Sequence, residues 1–231
     1  VYDRFGKRLL DLVLAAVGLL VLSPVLLVTA LLIRFPVVSR ERGPVFYRGE
    51  RVGFGGVGFR MFKYRSMVVD ADRIGPASTS ADDPRLTSMG LFLRRYKLDE
   101  LPQLLNVLGG DMSFVGPRPE VRKFTDLFTD EERAILSVRP GITDWASLNC
   151  PDEEDVLDAV RDEYPDADAA YAAVIRPQKL RLQLEYVRNH DLWVDLKILF
   201  LTVATVLRKM RPAADRSSAV KECTHEPRSA G

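Results

Sequence analysis

Asp99 and Glu100 stand side by side in LFLRRYKLDELPQLLNVL, residues 91–108. Neighbours on a helix diverge by about 100 degrees, so these carboxyls cannot share one proton and face different tasks. Asp99 is suited to act as a nucleophile or as an oxygen ligand to a divalent ion, because aspartate carboxylates accept phosphoryl groups. Glu100 is suited to act as a base or as a second oxygen ligand. An acidic pair on a helix is by itself ordinary surface; the cations around it change its meaning. Arg94 and Arg95 precede Asp99 at a spacing that sets at least one guanidinium beside the carboxylate. Arg118 sits in a Gly-Pro-Arg-Pro turn, where flanking prolines restrict the backbone and preset a donor fork for two phosphate oxygens. Lys63 and Arg65 alternate along a strand-like run, project to one face and could hold a second phosphate. Cationic groups around an acidic pair are what diphosphate chemistry with Mg²⁺ requires: the ion bridges acids to phosphates, and guanidinium groups neutralise the transferred group.

The composition narrows the setting. Of 231 residues 47% are hydrophobic, enough for one core plus a membrane element. Lys and Arg total 33 against 32 Asp and Glu, a balance that argues against a nucleic-acid partner. Cys150 and Cys223 are far apart and lack a pairing pattern, which fits a reducing compartment and speaks against a disulfide framework. His190 and His225 lie in unrelated surroundings and support neither a zinc site nor a histidine relay.

The chain from Leu9 to Ile33 is almost wholly apolar, Asp11 and Ser23 excepted. At helical rise about 25 residues cover the roughly 30 Å hydrocarbon core of a bilayer. The run is too long for a signal peptide, and no small-residue cleavage site follows it. Arg4, Lys7 and Arg8 precede it, and Arg34, Arg40, Arg42, Arg48 and Arg51 follow, so both flanks carry the charge of a cytoplasmic side. A helix that enters, bends and leaves by the same face satisfies both flanks, and is favoured over a kinked spanning helix. Ser23-Pro24 supplies the bend: proline removes a donor, and the serine hydroxyl can satisfy the carbonyl so freed.

Beyond this segment, GPVFYRGERVGFGGVGFRMFKYRSM reads as two short strands about a glycine-rich turn. Its Gly53, Gly55 and Gly58 match G-x-G-x-x-G, but no helix opens there, so a hairpin is favoured over a dinucleotide site. Residues 70–90 read as a loop able to move over a site. Residues 91–108 read as helix interrupted at Pro102, residues 111–122 as a proline-rich connector, and 126–138 as a short helix. The nine acids of 152–168 suggest a solvated helix face rather than a second metal site. A long helix over 177–209 ends in an apolar stretch that fits either core or bilayer, and 211–231 reads as a disordered tail.

Taken jointly, KRLLDLVLAAVGLLVLSPVLLVTALLIRF, LDELPQ, GDMSFVGPRPE, RPGITDWASLN and LEYVRNHDLWVDLKI give a chain that resembles the monotopic polyprenyl-phosphate phosphoglycosyl transferases, a family of bacterial sugar transferases, over about residues 5–209. The resemblance implies an α+β, mainly helical fold: a re-entrant membrane helix in 1–36, a cytoplasmic catalytic domain in 37–210 with a small β-hairpin and interfacial helices, and the tail. It implies a catalytic face at the bacterial inner membrane, Mg²⁺, a nucleoside diphosphate sugar such as a UDP-sugar as donor, and undecaprenyl phosphate as acceptor. Asp99 would form a covalent phosphosugar intermediate, with Glu100 as metal ligand or base. Arg94, Arg118 and Lys63 fall on phosphate-binding positions of the family motifs. Where the family commonly has P-G-I-T-G-W-A-Q, this chain has Asp144 and Ser147, which leaves the sugar unassigned. The oligomeric state stays open, a homodimer included, as does whether the chain is a minimal enzyme or part of a larger one. The rival readings are a non-catalytic membrane scaffold and a nucleotide-sugar hydrolase, which would need no lipid acceptor.

Overall fold

The apolar N-terminal run folds as helix α1 (Lys7–Arg34) in a computed structural model that describes residues 2–35, 43–150 and 152–209. Arg40, Arg42 and the tail 211–231 lie outside the described residues. With 28 residues α1 is about 42 Å long, more than a bilayer core needs. It runs through Pro24 as one element. Pro24 offers no N–H to the carbonyl of Leu20, and Ser23 Oγ donates to that carbonyl at 2.7 Å in its place.

Both arms of α1 rest on the same body. In the first arm Asp11 and Ala15 are buried, and Asp11 Oδ1 accepts from Ser113 Oγ at 3.0 Å and from Phe114 N at 2.9 Å. Arg8 donates to the carbonyl of Leu108 at 2.8 Å and to that of Val107. In the second arm Thr29 and Ile33 are buried, Ile33 packs with Tyr64 and Leu93, and Tyr64 Oη donates to the carbonyl of Leu26 at 2.7 Å. Between the arms Leu20 and Val21 are 77% and 67% exposed, so the apolar middle is bare.

The expected hairpin is present: β1 (Phe46–Val52) and β2 (Gly58–Tyr64) pair antiparallel from Phe46 opposite Tyr64 to Val52 opposite Gly58. Gly55 and Gly56 take φ of 66° and 77° in the turn, a conformation glycine adopts without strain. After a one-turn helix α2 (Ala71–Ile74) come α3 (Ser88–Arg95) and α4 (Gln103–Gly109). The stretch between α2 and α3 is pinned. Arg85 donates to the carbonyls of Ala71 and Pro76, and Asp168 accepts from the backbone of Ala77 and Ser78.

β3 (Ser113–Val115) and β4 (Gly141–Thr143) pair in parallel. A Cβ at Gly141 would lie 2.2 Å from the nitrogen of Gly116, so only glycine lets the two backbones approach here. Helix α5 (Arg122–Thr125) lies between these strands in sequence, and the helix expected at 126–138 is instead a 3₁₀ segment over Glu132–Ser137.

Then follow α6 (Trp145–Asn149), α7 (Glu153–Ala159), α8 (Ala167–Ala170), α9 (Arg176–Asn189) and α10 (Leu192–Lys209). The long helix expected over 177–209 is thus two. Ile198 of α10 is wholly buried with Val115, Trp145, Leu182 and Tyr186, while Trp193, Phe200, Val203 and Leu207 stand exposed. One side of α10 is core, and the opposite side is apolar and open. Cys223 lies outside the described residues, and with it the expectation about a disulfide framework.

Candidate active site

Asp99 and Glu100 sit on a single 3₁₀ turn, Leu98–Glu100, between α3 and α4, and not within a helix as expected. Two residues cause this. Lys97 takes φ 55° and ψ 23°, a left-handed conformation that ends α3, and Pro102, which has no N–H to give, caps the start of α4. Successive residues of a 3₁₀ turn diverge by about 120 degrees, so the acids point apart as a helix would also have required. Asn106 fastens α4 to the hairpin: its Oδ1 accepts from Phe62 N at 2.8 Å, and its Nδ2 donates to the carbonyl of Arg60 at 2.9 Å. The turn is thereby held against β2, which carries Lys63.

The two acids have opposite electrostatics. Glu100 accepts from Lys63 Nζ at 2.9 Å and from both terminal nitrogens of Arg118, one of them at 3.2 Å. Burial alone would raise its pKa, but Arg118 and then Lys63 hold it well below the usual carboxylate range. Asp99 is 3% exposed, and its Oδ1 is buried with no hydrogen-bond partner. Burial pushes Asp99 up, Lys63 pulls against that, and the neighbouring Glu100 charge adds to the rise. Burial also lowers Lys63, more than Glu100 restores it.

Arg118 is fixed from behind. Asp144 is wholly buried: its Oδ2 accepts from Arg118 N at 3.2 Å and from Gln183 Nε2 at 3.0 Å, and its Oδ1 accepts from Ser147 N at 2.7 Å to cap α6. The residue that breaks the family motif therefore braces the Pro-Arg-Pro turn. Glu120, two residues on, accepts from Tyr171 Oη at 2.6 Å.

Arg94 lies close enough to act electrostatically on Asp99, but its ion pair is with Glu154 of α7, at 2.9 Å. Arg65, one residue past β2, lies against Gly43. The acids of 152–168 are only partly a solvated face. Glu154 pairs with Arg94, Glu153 pairs with the buried Lys179 at 3.2 Å, and Asp168 is buried on Lys123 and the 77–78 backbone. Sequence reasoning missed Lys97, Asn106 and Gln183. The only signal for Asn106 was its place three residues after Gln103 on a helix face turned toward the hairpin.

No group of three or more His, Cys, Asp or Glu side chains able to hold a metal occurs among the described residues. That suits Mg²⁺, which binds one or two carboxylates and completes its shell with water and substrate phosphates. The unpartnered Oδ1 of Asp99 is the fitting ligand, since both oxygens of Glu100 are engaged by cations.

The family model for bacterial sugar transferase matches residues 2–209. The chain is 36% identical over 206 residues to a UDP-N-acetylgalactosamine-undecaprenyl-phosphate N-acetylgalactosaminephosphotransferase of Aeromonas hydrophila, covering 88% of this chain and 44% of that relative. It is 38% identical over 206 residues to a UDP-glucose:undecaprenyl-phosphate glucose-1-phosphate transferase of Escherichia coli, covering 87% and 40%. An uncharacterized sugar transferase of Bacillus subtilis is 37% identical over 201 residues, covering 87% of each chain. The chain spans less than half the length of the first two relatives.

Proposed function

The chain belongs to the bacterial sugar transferase family, and from that premise we propose that it moves a sugar-1-phosphate from a UDP-sugar to undecaprenyl phosphate, releasing UMP. The observation that carries this reading is the buried, unpartnered Oδ1 of Asp99 beside Lys63 and Arg94, with Arg118 on the adjoining Glu100. An anionic oxygen without a hydrogen bond in a cationic surround is an activated nucleophile for phosphorus.

In the first step an Asp99 oxygen attacks the sugar-bearing phosphorus. The Asp–O–P bond forms, the diphosphate P–O bond breaks, and UMP takes the electron pair. In the second, an oxygen of the polyprenyl phosphate attacks the same phosphorus, the Asp–O–P bond breaks, and Asp99 returns as carboxylate. Donor and acceptor thus use one small site in turn. Lys63 and Arg118, held by Glu100, face the phosphoryl oxygens, and Arg94 adds charge from α3. Glu100, with its depressed pKa, suits an anchor for these cations better than a proton acceptor. Mg²⁺, held by Asp99 with Glu100 behind it, would neutralise the diphosphate and its leaving group.

The α1 contacts support a re-entrant placement. A helix that crosses a bilayer leaves one arm on the far side, whereas here both arms touch one body, and Leu20 and Val21 between those contacts are exposed. The catalytic face then lies at the cytoplasmic surface, where the open side of α10 continues the lipid contact.

The test is UMP release by the full chain in lipid nanodiscs, across a panel of UDP-sugars, with and without undecaprenyl phosphate. Intact-mass measurement without acceptor should show one sugar phosphate added to the protein and none added to Asp99→Asn. Full activity of Asp99→Asn, or no release of UMP with any donor, defeats the proposal. Turnover that ignores the lipid acceptor favours hydrolysis instead.

A further inference from the structure

Of the four cations whose charge acts on Asp99 or Glu100, namely Lys63, Arg94, Lys97 and Arg118, Lys97 alone has no ion pair among the described residues. Lys63 and Arg118 are bound to Glu100, and Arg94 to Glu154. Lys97 stands two residues before Asp99 on the same turn, half-buried, and its ammonium makes no hydrogen bond or ion pair with the described residues. Its charge nevertheless acts on both Asp99 and Glu100.

Its backbone adds a second observation. Lys97 is one of two non-glycine residues with positive φ among those described, and the other, Asp70, lies outside the site. Glycine or asparagine takes the left-handed conformation more easily than lysine. The turn itself therefore gives no reason for a lysine. Strained conformations of this kind gather where a side chain must be presented to a ligand.

We propose that Lys97 is a substrate-binding residue whose unpaired ammonium takes a phosphate oxygen of the nucleoside diphosphate donor. This rests on the transferase reading and extends it. Lys63, Arg118 and Arg94, set against Glu100, Glu154 and an ionised Asp99, form a fixed frame that is neutral before substrate arrives. Lys97 supplies the uncompensated charge that a diphosphate brings into balance. A charge-assisted hydrogen bond of this kind is worth roughly tenfold or more in affinity.

The experiment uses the full chain in nanodiscs and the variants Lys97→Arg, Lys97→Gln and Lys97→Gly. UDP binding in the presence of Mg²⁺ is measured by calorimetry at two salt concentrations, and donor KM and kcat are measured on the same preparations. Arginine keeps the charge, glutamine keeps the turn's strain without the charge, and glycine relieves the strain without the charge. The expected result is UDP binding weakened about tenfold in both Gln and Gly variants, with a flatter salt dependence and the loss falling on KM. The Arg variant should stay within about threefold of the parent. Parent-like binding by Lys97→Gln, or affinity restored by Lys97→Gly, overturns the proposal, and so does a parent chain that binds no UDP. UDP binding without turnover of any sugar donor would separate failure of the transferase reading from failure of this one.

Discussion

Lys63 Nζ lies 2.9 Å from Glu100 Oε1, and this ion pair ties the β-hairpin to the catalytic turn across 37 positions of sequence. The same carboxylate holds Arg118 from the Pro-Arg-Pro turn, so one acid gathers cations from two separate elements. Removing its charge leaves two largely buried cations facing each other. Glu100→Gln is expected to lower stability by about 2–3 kcal/mol, below the loss for a fully buried pair because these side chains are partly solvated. Transfer should fall about 100-fold or more, since the phosphate-binding groups lose their placement. Thermal unfolding and single-turnover UMP release check both numbers.

Asp99→Asn should separate activity from stability in the opposite sense. The raised pKa means that the folded site disfavours the Asp99 charge, chiefly through burial. Replacing it by a neutral amide should abolish the covalent phosphosugar yet raise folding stability, by on the order of 1 kcal/mol at neutral pH. An unchanged or higher melting temperature alongside lost UMP release is the expected pair of results. A large drop in stability would mean that Asp99 serves the frame and not the reaction.

The two acids predict separate acid limbs for activity and folding. Asp99 reacts as carboxylate, so activity should decline as pH falls through a value above the ordinary 3.8. Its stability contribution is present below 3.8 and disappears as pH rises through the raised value. Glu100 runs the other way: its contribution is present above 4.5 and is lost only as pH falls through its depressed value. Asp168, on Lys123 and the backbone of Ser78 and Ala77, shares that direction, its burial notwithstanding. Activity should therefore vanish at a pH where circular dichroism still reports a folded chain. Coincident loss of both would contradict this assignment.

The hairpin and the Ser23-Pro24 device were legible because both are local. A glycine-rich turn declares itself between alternating strands, and a proline in a helix frees a carbonyl that the adjacent serine reaches. The partners of the charges were not legible, because they depend on which helix returns to which face. Arg94 is near Asp99 by spacing but pairs with Glu154, brought back by α7 from 60 residues on. Lys97 was hidden for a related reason: its left-handed backbone follows from how α3 and α4 dock, and no residue type announces it. Asp144 could be seen only as a departure from a motif. Its role as a brace requires Gln183 of α9 to arrive beside Arg118.

The arrangement of α1 yields the last prediction. Asp11 binds Ser113 and the Phe114 backbone through one arm, Leu26 accepts from Tyr64 through the other, and both partners belong to the same body. A spanning helix would tear one of these anchors away. Single cysteines at Phe5 and Phe35, both exposed, in a chain with Cys150→Ser and Cys223→Ser, report the side on which each flank lies. Neither should react with a membrane-impermeant thiol reagent added to intact cells, and both should react once the membrane is opened. Pro24→Ala restores an N–H to the carbonyl of Leu20 and removes the reason for a bend there. That variant should make one flank reachable from outside in a fraction of molecules, with transfer falling in proportion. Labelling of one flank in the parent chain would establish a spanning helix and withdraw the re-entrant placement.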